Sequence, residues 1–272
     1  MTKHICALLK NNFDSFLNLE SDEVAIQITT SLSNVLSVEA HNNSCSYKDL
    51  SSTLLFVAVK NDHYIAGSLG DGIFGVLTSK NNMEVLSHPD NGEYLNETFF
   101  TTSSNASKHF RIYRGELSDI IGFILMSDGS GESLYNRKDK YLSTVCTQVL
   151  EWLDDNLTHE VTDALCENLE NIIRNKTTDD CSLNLLKKVT RPAHQINDMS
   201  LQLQRELLKI DRNDVFLKNQ IIVLSAIESG ADTVKKIIAS TDISKTTVYR
   251  HIHDLEQKFI ISRNSSKLDI KE

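Results

Sequence analysis

The hydrophobic pattern changes period along the chain. Residues 13–40, "FDSFLNLESDEVAIQITTSLSNVLSVEA", carry apolar side chains at helical spacings, which predicts helix through most of the first forty residues. Ser21 is the expected N-cap of the second half, with Asp22 and Glu23 in a first turn where the helix dipole favours acids. From Ser52 the texture becomes short β-branched runs broken by Asn-Asp and Gly-Asp-Gly. "STLLFVAVKNDHYIAGSLGDGIFGVLTS" predicts three strands joined by tight turns, and "FRIYR" and "DIIGFILMS" add two more. Residues 139–175 return to helical spacing in two segments that part near "DDNLTHE", and "CSLNLLKKV" closes as a strand. Helices, then strands, then helices, then a strand describe an α+β layered domain rather than alternating βαβ units.

Beyond residue 190 the pattern is different again. Residues 191–218 hold Pro192 and many polar side chains and are expected to connect, with helix around "SLQLQRELLKI". Residues 219–272 then form a small unit. Ile221, Ile222, Leu224, Ala226 and Ile227 mark a first helix stopped by Ser229-Gly230, and Val234, Ile237, Ile238 and Ala239 mark a second. "TDIS" makes a tight turn, Ser244 caps a third helix with Val248, Ile252 and Leu255 inward, and "FIISRNSSKLDI" reads as two short strands.

Charge supports the division. The net charge is −9, but from Arg191 onward 13 basic and 11 acidic residues give +2, while the remaining 15 and 26 give −11. At 40% hydrophobic and 24% charged residues, the chain is neither disordered nor fibrous. The five cysteines are odd in number and not spaced as a metal clip, so reduced thiols are expected. No apolar run is long enough for a membrane span and no signal peptide is apparent, so a cytoplasmic protein without a membrane partner is expected. Oligomeric state is not legible.

Acids stand at the ends of several apolar runs. They are Asp71 in "GSLGDGIFG", Asp128 and Glu132 in "LMSDGSGE", and Asp179 and Asp180 in "TTDDCSLNLL". Taken singly, an Asp-Gly after a strand is more often a turn than a ligand. Carboxylates converging from different strands, beside glycines that let the backbone turn sharply, are what a hard divalent cation such as Mg2+ or Mn2+ requires.

These segments resemble the metal-dependent protein phosphatases of the 2C type. "SSTLLFVAVKNDHYIAGSLGDGIFGVL" is similar to their Gly/Ser-Ser-Thr strand and Gly-Asp hairpin, "ILMSDGSGESL" to their Ser-Asp-Gly motif and "TTDDCSLNLL" to their closing motif. "DNGEYLNETFFTTS", residues 90–103, resembles a segment of a bacterial subgroup. The resemblance covers about residues 20–190, within a domain spanning 1–190. It implies a β-sandwich flanked by helices, a two-metal site holding Mn2+ or Mg2+, and hydrolysis of phosphoserine and phosphothreonine in phosphoproteins by metal-activated water. Asp128 and Asp179 match metal ligands, with Gly129 contributing backbone nearby. Asp180 is the second choice if the register slips by one. Asp71 and Glu132 match positions tied to a third, weaker metal, with a solvated turn as the equal alternative.

The family also has an upstream Asp-Gly pair whose Asp bridges both metals, and "MTKHICALLKNNFDSFLNLE" contains none. Two metals are therefore expected to bind poorly, hydrolysis by this chain alone is expected to be weak, and an open sheet edge is expected. The last unit resembles the winged helix-turn-helix domains of bacterial transcription regulators, which implies binding to double-stranded DNA. Ser244, Lys245, Thr246, Thr247, Tyr249, Arg250 and His253 are the groove-facing positions, with Lys235, Arg263 and Lys267 near phosphates. The alternative to an enzyme is thus a catalytically degenerate regulator bound to DNA.

Overall fold

The computed structural model describes residues 1–89, 98–189, 193–211, 214–264 and 267–271. The first eight residues of the "DNGEYLNETFFTTS" segment lie outside them. Two compact units divide the chain, Met1–Leu153 with His159–Lys188, and Asp154–Thr158 with Val189–Glu272.

The first unit begins with two helices, α1 (Thr2–Asn18) and α2 (Ser21–Asn42). The break between them is fixed by Glu20 rather than Ser21. Glu20 caps α2 in a reciprocal box with Glu23, which satisfies two donors at once. Ser21 becomes the first helical residue, and its Oγ accepts from Arg114 Nη2 at 2.7 Å. The same guanidinium donates to the carbonyls of Phe16 at 3.0 Å and of Leu19. It thereby satisfies carbonyls that the end of α1 leaves without helical partners.

Seven strands form two antiparallel sheets. One has the order β1-β2-β5, from β1 (Leu54–Lys60), β2 (His63–Leu69) and β5 (Arg111–Glu116). The other has the order β4-β3-β6-β9, from β3 (Ile73–Thr78), β4 (Met83–Ser87), β6 (Ile120–Met126) and β9 (Leu183–Lys187). Of these seven, β4 is the strand the sequence pattern does not reveal, because "MEVLS" is short and bordered by polar residues. The short helix α3 (Ala106–His109) precedes β5.

Three apolar layers hold these elements. Ile5, Leu9, Phe13 and Phe16 of α1 and Val24, Ile28 and Leu32 of α2 pack on Leu54, Phe56, Ile65 and Leu69 of the first sheet. Between the sheets lie Tyr64, Ala66, Phe74, Val76, Phe123 and Leu125. Beyond the second sheet, Ile73, Leu77, Ile124 and Met126 meet Cys146, Val149 and Leu150. These last three belong to α5 (Thr144–Asp155), which is followed by α6 (Thr158–Asn168). The result is helix, sheet, sheet, helix, a β-sandwich flanked by helices as the sequence implies. A seven-residue helix, α4 (Asp128–Leu134), and a small hairpin of β7 (Tyr135–Asn136) and β8 (Tyr141–Leu142) connect β6 to α5.

The second unit contains α7 (Leu201–Leu208), α8 (Asp214–Glu228), α9 (Val234–Ser240), α10 (Lys245–Gln257) and a hairpin of β10 (Ile261–Asn264) and β11 (Lys267–Ile270). Its core includes Ile196, Leu208, Ile210 and Leu217 with Val248, Ile252 and Leu255. The described part of 191–218 is therefore built into this unit rather than spanning to it. Its apolar residues are few and irregularly spaced, which hides their burial from a periodicity argument. The helix expected from about residue 219 begins at Asp214.

Ser244 caps α10 by accepting from Thr247 N, and Thr233 caps α9. After α10, Phe259 adopts φ +59° and stands 74% exposed. Its N–H and that of Ile260 return to the carbonyls of Glu256 and Leu255, a closing motif in which glycine is the favoured residue. His251 of α10 is fully buried against Phe216, with ring centroids 4.3 Å apart. Burial first, then the neighbouring Arg250, holds its imidazole below the ordinary histidine range. Among the described residues no helix is long and apolar enough to cross a membrane.

The Arg114 clamp gives a direct expectation. Arg114→Ala strands several carbonyls at the corner between α1 and α2, and should cost about 3 kcal/mol in denaturant unfolding with little change in the secondary structure seen by circular dichroism. A loss under about 0.5 kcal/mol would show that water serves those carbonyls as well as the guanidinium does.

Candidate active site

The register of the second sheet decides where the acids fall. Ile73 pairs with Met126, and Met126 pairs with Leu183. The turn before β3, the residues after β6 and the loop before β9 therefore meet at one end of the sandwich. Those segments carry Asp71, Asp128 and Asp179 respectively.

Asp128 starts α4 and is half-buried. Its Oδ1 accepts from Gly129 N at 2.9 Å, a short local bond at the helix start. Burial, then the charge of Asp71, and more weakly that of Asp179, raise its pKa above the ordinary carboxylate range. The Gly129 N–H opposes this. Asp71 is half-buried and accepts from Thr98 Oγ1 at 2.7 Å through Oδ2. Asp179 is exposed in the loop.

Main-chain ties hold the loop against α4. Ser127 Oγ donates to the carbonyl of Asp180 at 2.8 Å and accepts from Ser182 N at 2.9 Å. Ser127 N donates to the Ser182 carbonyl at 3.1 Å. Gly129 is required by this closeness: a Cβ there would sit 2.8 Å from the Asp180 carbonyl oxygen and 3.1 Å from that of Asp179. Both obstacles are backbone, so they cannot swing aside.

The sequence candidates thus separate. Asp71 and Asp179 are brought within electrostatic reach of Asp128. Asp180 takes part through its carbonyl, and its carboxylate is not among the charges acting on Asp128. Glu132 is exposed one turn along α4 and is likewise absent from those charges. Two further residues are not legible as site residues in the sequence. Ser127 stands out there only as the start of the Ser-Asp-Gly motif, although a hydroxyl before an Asp-Gly is a natural bridge. Thr98 is the Thr of "NET", a segment that is conspicuous without revealing the bond to Asp71.

In the second unit, Ser244, Lys245, Thr246, Tyr249, Arg250 and His253 are exposed along α10, and Thr247 is half-buried. Arg250 lies over the Phe216 ring, 5.5 Å from its centroid. Arg263 is paired with Glu256 at 2.7 Å, and Lys267 lies 3.7 Å from Asp232.

The chain belongs to the protein phosphatase 2C family: the family model described as "Protein phosphatase 2C" matches residues 1–180. None of the curated proteins matches the chain. Among solved structures, the serine/threonine phosphatase Stp1 from Staphylococcus aureus is 15% identical, covering 70% of this chain and 77% of its own, with a TM-score of 0.43. The catalytic domain of the serine threonine protein phosphatase PstP, solved in complex with two manganese ions, is 12% identical over 69% of this chain and 80% of its own, at 0.45. The phosphatase domain of SpoIIE from Bacillus subtilis is 14% identical over 64% and 76%, at 0.33.

The family implies divalent metals, and the carboxylates present have the right donor chemistry. Their placement does not make a cage. Among the described residues no three of His, Cys, Asp and Glu are gathered closely enough to hold an ion. Asp71, Asp128 and Asp179 therefore do not by themselves fit a resident two-metal centre.

The raised pKa of Asp128 has a consequence for stability. A carboxyl that is easier to protonate in the folded chain binds more protons there than in the unfolded one. Its cost to the fold is absent below its ordinary value of 3.8 and complete above its raised value. Asp128→Asn should therefore stabilise the first unit at neutral pH, by on the order of half a kcal/mol after solvent screening. The gain should fade as pH drops toward 4. Thermal melts across that range check it, and a gain independent of pH would point to packing rather than charge.

Proposed function

We propose that the first unit is a serine/threonine protein phosphatase domain acting on phosphoproteins with Mn2+ or Mg2+, and that this chain alone hydrolyses weakly. Membership of the protein phosphatase 2C family over residues 1–180 carries the reading. It is supported by the register of the second sheet, which brings three hard oxygen donors to one end of the sandwich, where the charges of Asp71 and Asp179 act on Asp128. In this reading Asp128 and Asp179 are ligands, Asp71 a weaker one held by Thr98, and Gly129 keeps the loop and helix in contact. Weakness follows from the absence of a three-ligand cluster among the described residues.

The test is hydrolysis of p-nitrophenyl phosphate and of a phosphothreonine peptide by the full chain with Mn2+. The expected result is slow, Mn2+-dependent turnover that Asp128→Ala abolishes. Vigorous turnover lost in Asp128→Ala overturns the weakness but keeps the phosphatase. Turnover unaffected by Asp128→Ala overturns the site.

A second reading concerns the other unit. The turn between α9 and α10, the Ser244 cap and the exposed run of Lys245, Thr246, Tyr249, Arg250 and His253 support a winged helix-turn-helix that binds duplex DNA. Arg250 is the expected base or phosphate contact. Arg263 and Lys267 must exchange their acidic partners to reach phosphate. A gel shift on random duplex at low salt should show retardation that Arg250→Ala weakens roughly tenfold. Absence of any shift, or indifference to Arg250→Ala, removes this reading.

A further inference from the structure

The core of the second unit encloses an ionisable group that its surroundings serve poorly. His251 of α10 is fully buried, and so is Gln220 of α8. Among the described residues neither ring nitrogen of His251 has a hydrogen-bond partner, and neither does the Oε1 of Gln220. A neutral imidazole offers one donor and one acceptor, and leaving both unmet in the interior is costly. An imidazolium there carries two donors and a charge, which a dry core penalises more heavily.

The charges around it come from its own helix. Arg250 and Lys258 oppose a proton on the ring, and Asp254 favours one. Both cations lie over the Phe216 ring of α8, 5.5 and 5.9 Å from its centroid, and that ring also packs on His251. The charged groups of the neighbouring elements are engaged or exposed. Asp214 of α8 is paired with Arg205 of α7, Lys236 of α9 with Asp232, and Arg263 of β10 with Glu256. Lys218 and Glu228 of α8 and Lys235 of α9 are exposed. None of these is among the charges that act on the imidazole.

Asp254 stands three residues beyond His251, which places the two on neighbouring turns of one helix face. Its Oδ2 is paired with Lys258 Nζ at 2.6 Å and accepts from Gln220 Nε2. The same ammonium donates to the carbonyl of Leu208, the last residue of α7, at 2.5 Å. One carboxylate thus ties α8 to α10, and through Lys258 it steadies the end of α7.

We propose that His251 is an acid-sensitive latch of the second unit: once protonated, it draws the Asp254 carboxylate and the Gln220 Oε1 to itself, and the loss of the Asp254–Lys258 pair releases α7. Both acceptors stand within the cluster that the neutral ring leaves unused. The sign of the pH dependence follows from burial. Burial first, then the Arg250 charge, holds the imidazole below its ordinary value of 6.5, so the closed unit binds fewer protons than the open one. The penalty is absent well above 6.5 and grows as pH falls below it toward the lowered value. One proton limits the effect to about tenfold per pH unit.

Peptide-resolved hydrogen exchange of the full chain, corrected for the intrinsic effect of pH on exchange, tests the latch. From pH 7.5 to 5.5 the amides of α7, and those of α10 around Asp254, should lose protection by up to about tenfold, while β6 of the first unit keeps its own. His251→Leu and His251→Gln, neither of which takes up a proton there, should hold the protection of α7 level over that range. His253→Gln, at the exposed position two residues on, should respond as the unaltered chain does. Protection of α7 that ignores pH in the unaltered chain overturns the proposal, as does a loss that persists undiminished in the His251 variants. If neither variant folds, the imidazole proton resonances of the unaltered chain decide. A His251 signal that shifts below the ordinary histidine range, in step with the loosening of α7, supports the latch, and one that titrates at or above that range overturns it.

Discussion

The arrangement depends on three rings between the sheets. Phe123 of β6 stacks on Phe74 of β3 at 5.9 Å and meets Tyr64 of β2, on the other sheet, at 5.3 Å. Aromatic contacts of this kind add about 0.5–1.5 kcal/mol each beyond the area they bury. Their larger effect is positional. They fix how far one sheet slides over the other, and so decide that the turn holding Asp71 opens toward the helix that begins at Asp128. Register within the second sheet then brings in Asp179. The acidic end is thus a by-product of where aromatic side chains interlock some distance away.

Such an end is electrostatically uncomfortable, and the surrounding contacts tolerate it rather than relieve it. Ser127 and Gly129 bind the loop to the helix through main-chain groups, without supplying positive charge. Thr98 donates one neutral bond to Asp71. Carboxylates held close by uncharged scaffolding are more costly than a solvated turn, and strain of this sort is retained mostly where chemistry needs it. Phe259 is a smaller instance in the second unit, a bulky residue kept where glycine is easier.

Much of this architecture can be read from the residues. The strands between 52 and 79 announce themselves through β-branched runs and Gly-Asp-Gly punctuation, and Asp128 is conspicuous at the tip of "FILMS". What is not legible has a common cause. Helix α4 contains Gly129 and Gly131, both poor helix formers, and exists because the loop before β9 packs against it. Glu20 displaces Ser21 as a cap because Arg114, far along the chain, claims the serine hydroxyl. Ile196 and Ile210 look like isolated apolar residues in a polar stretch until the helices they meet are known. Local pattern fails where a distant partner decides.

Arg114 also bears on the order of events during synthesis. The carbonyls it serves, at Phe16, Leu17 and Leu19, lie 95 to 98 residues earlier in the chain. The corner between the first two helices therefore cannot be sealed until β5 has left the ribosome. At about 5–20 residues per second that is a wait of several seconds, with the apolar faces of α1 and α2 already made and uncovered. During that interval those faces stay open to other contacts, and the rate at which the middle of the chain is translated becomes part of how the protein folds.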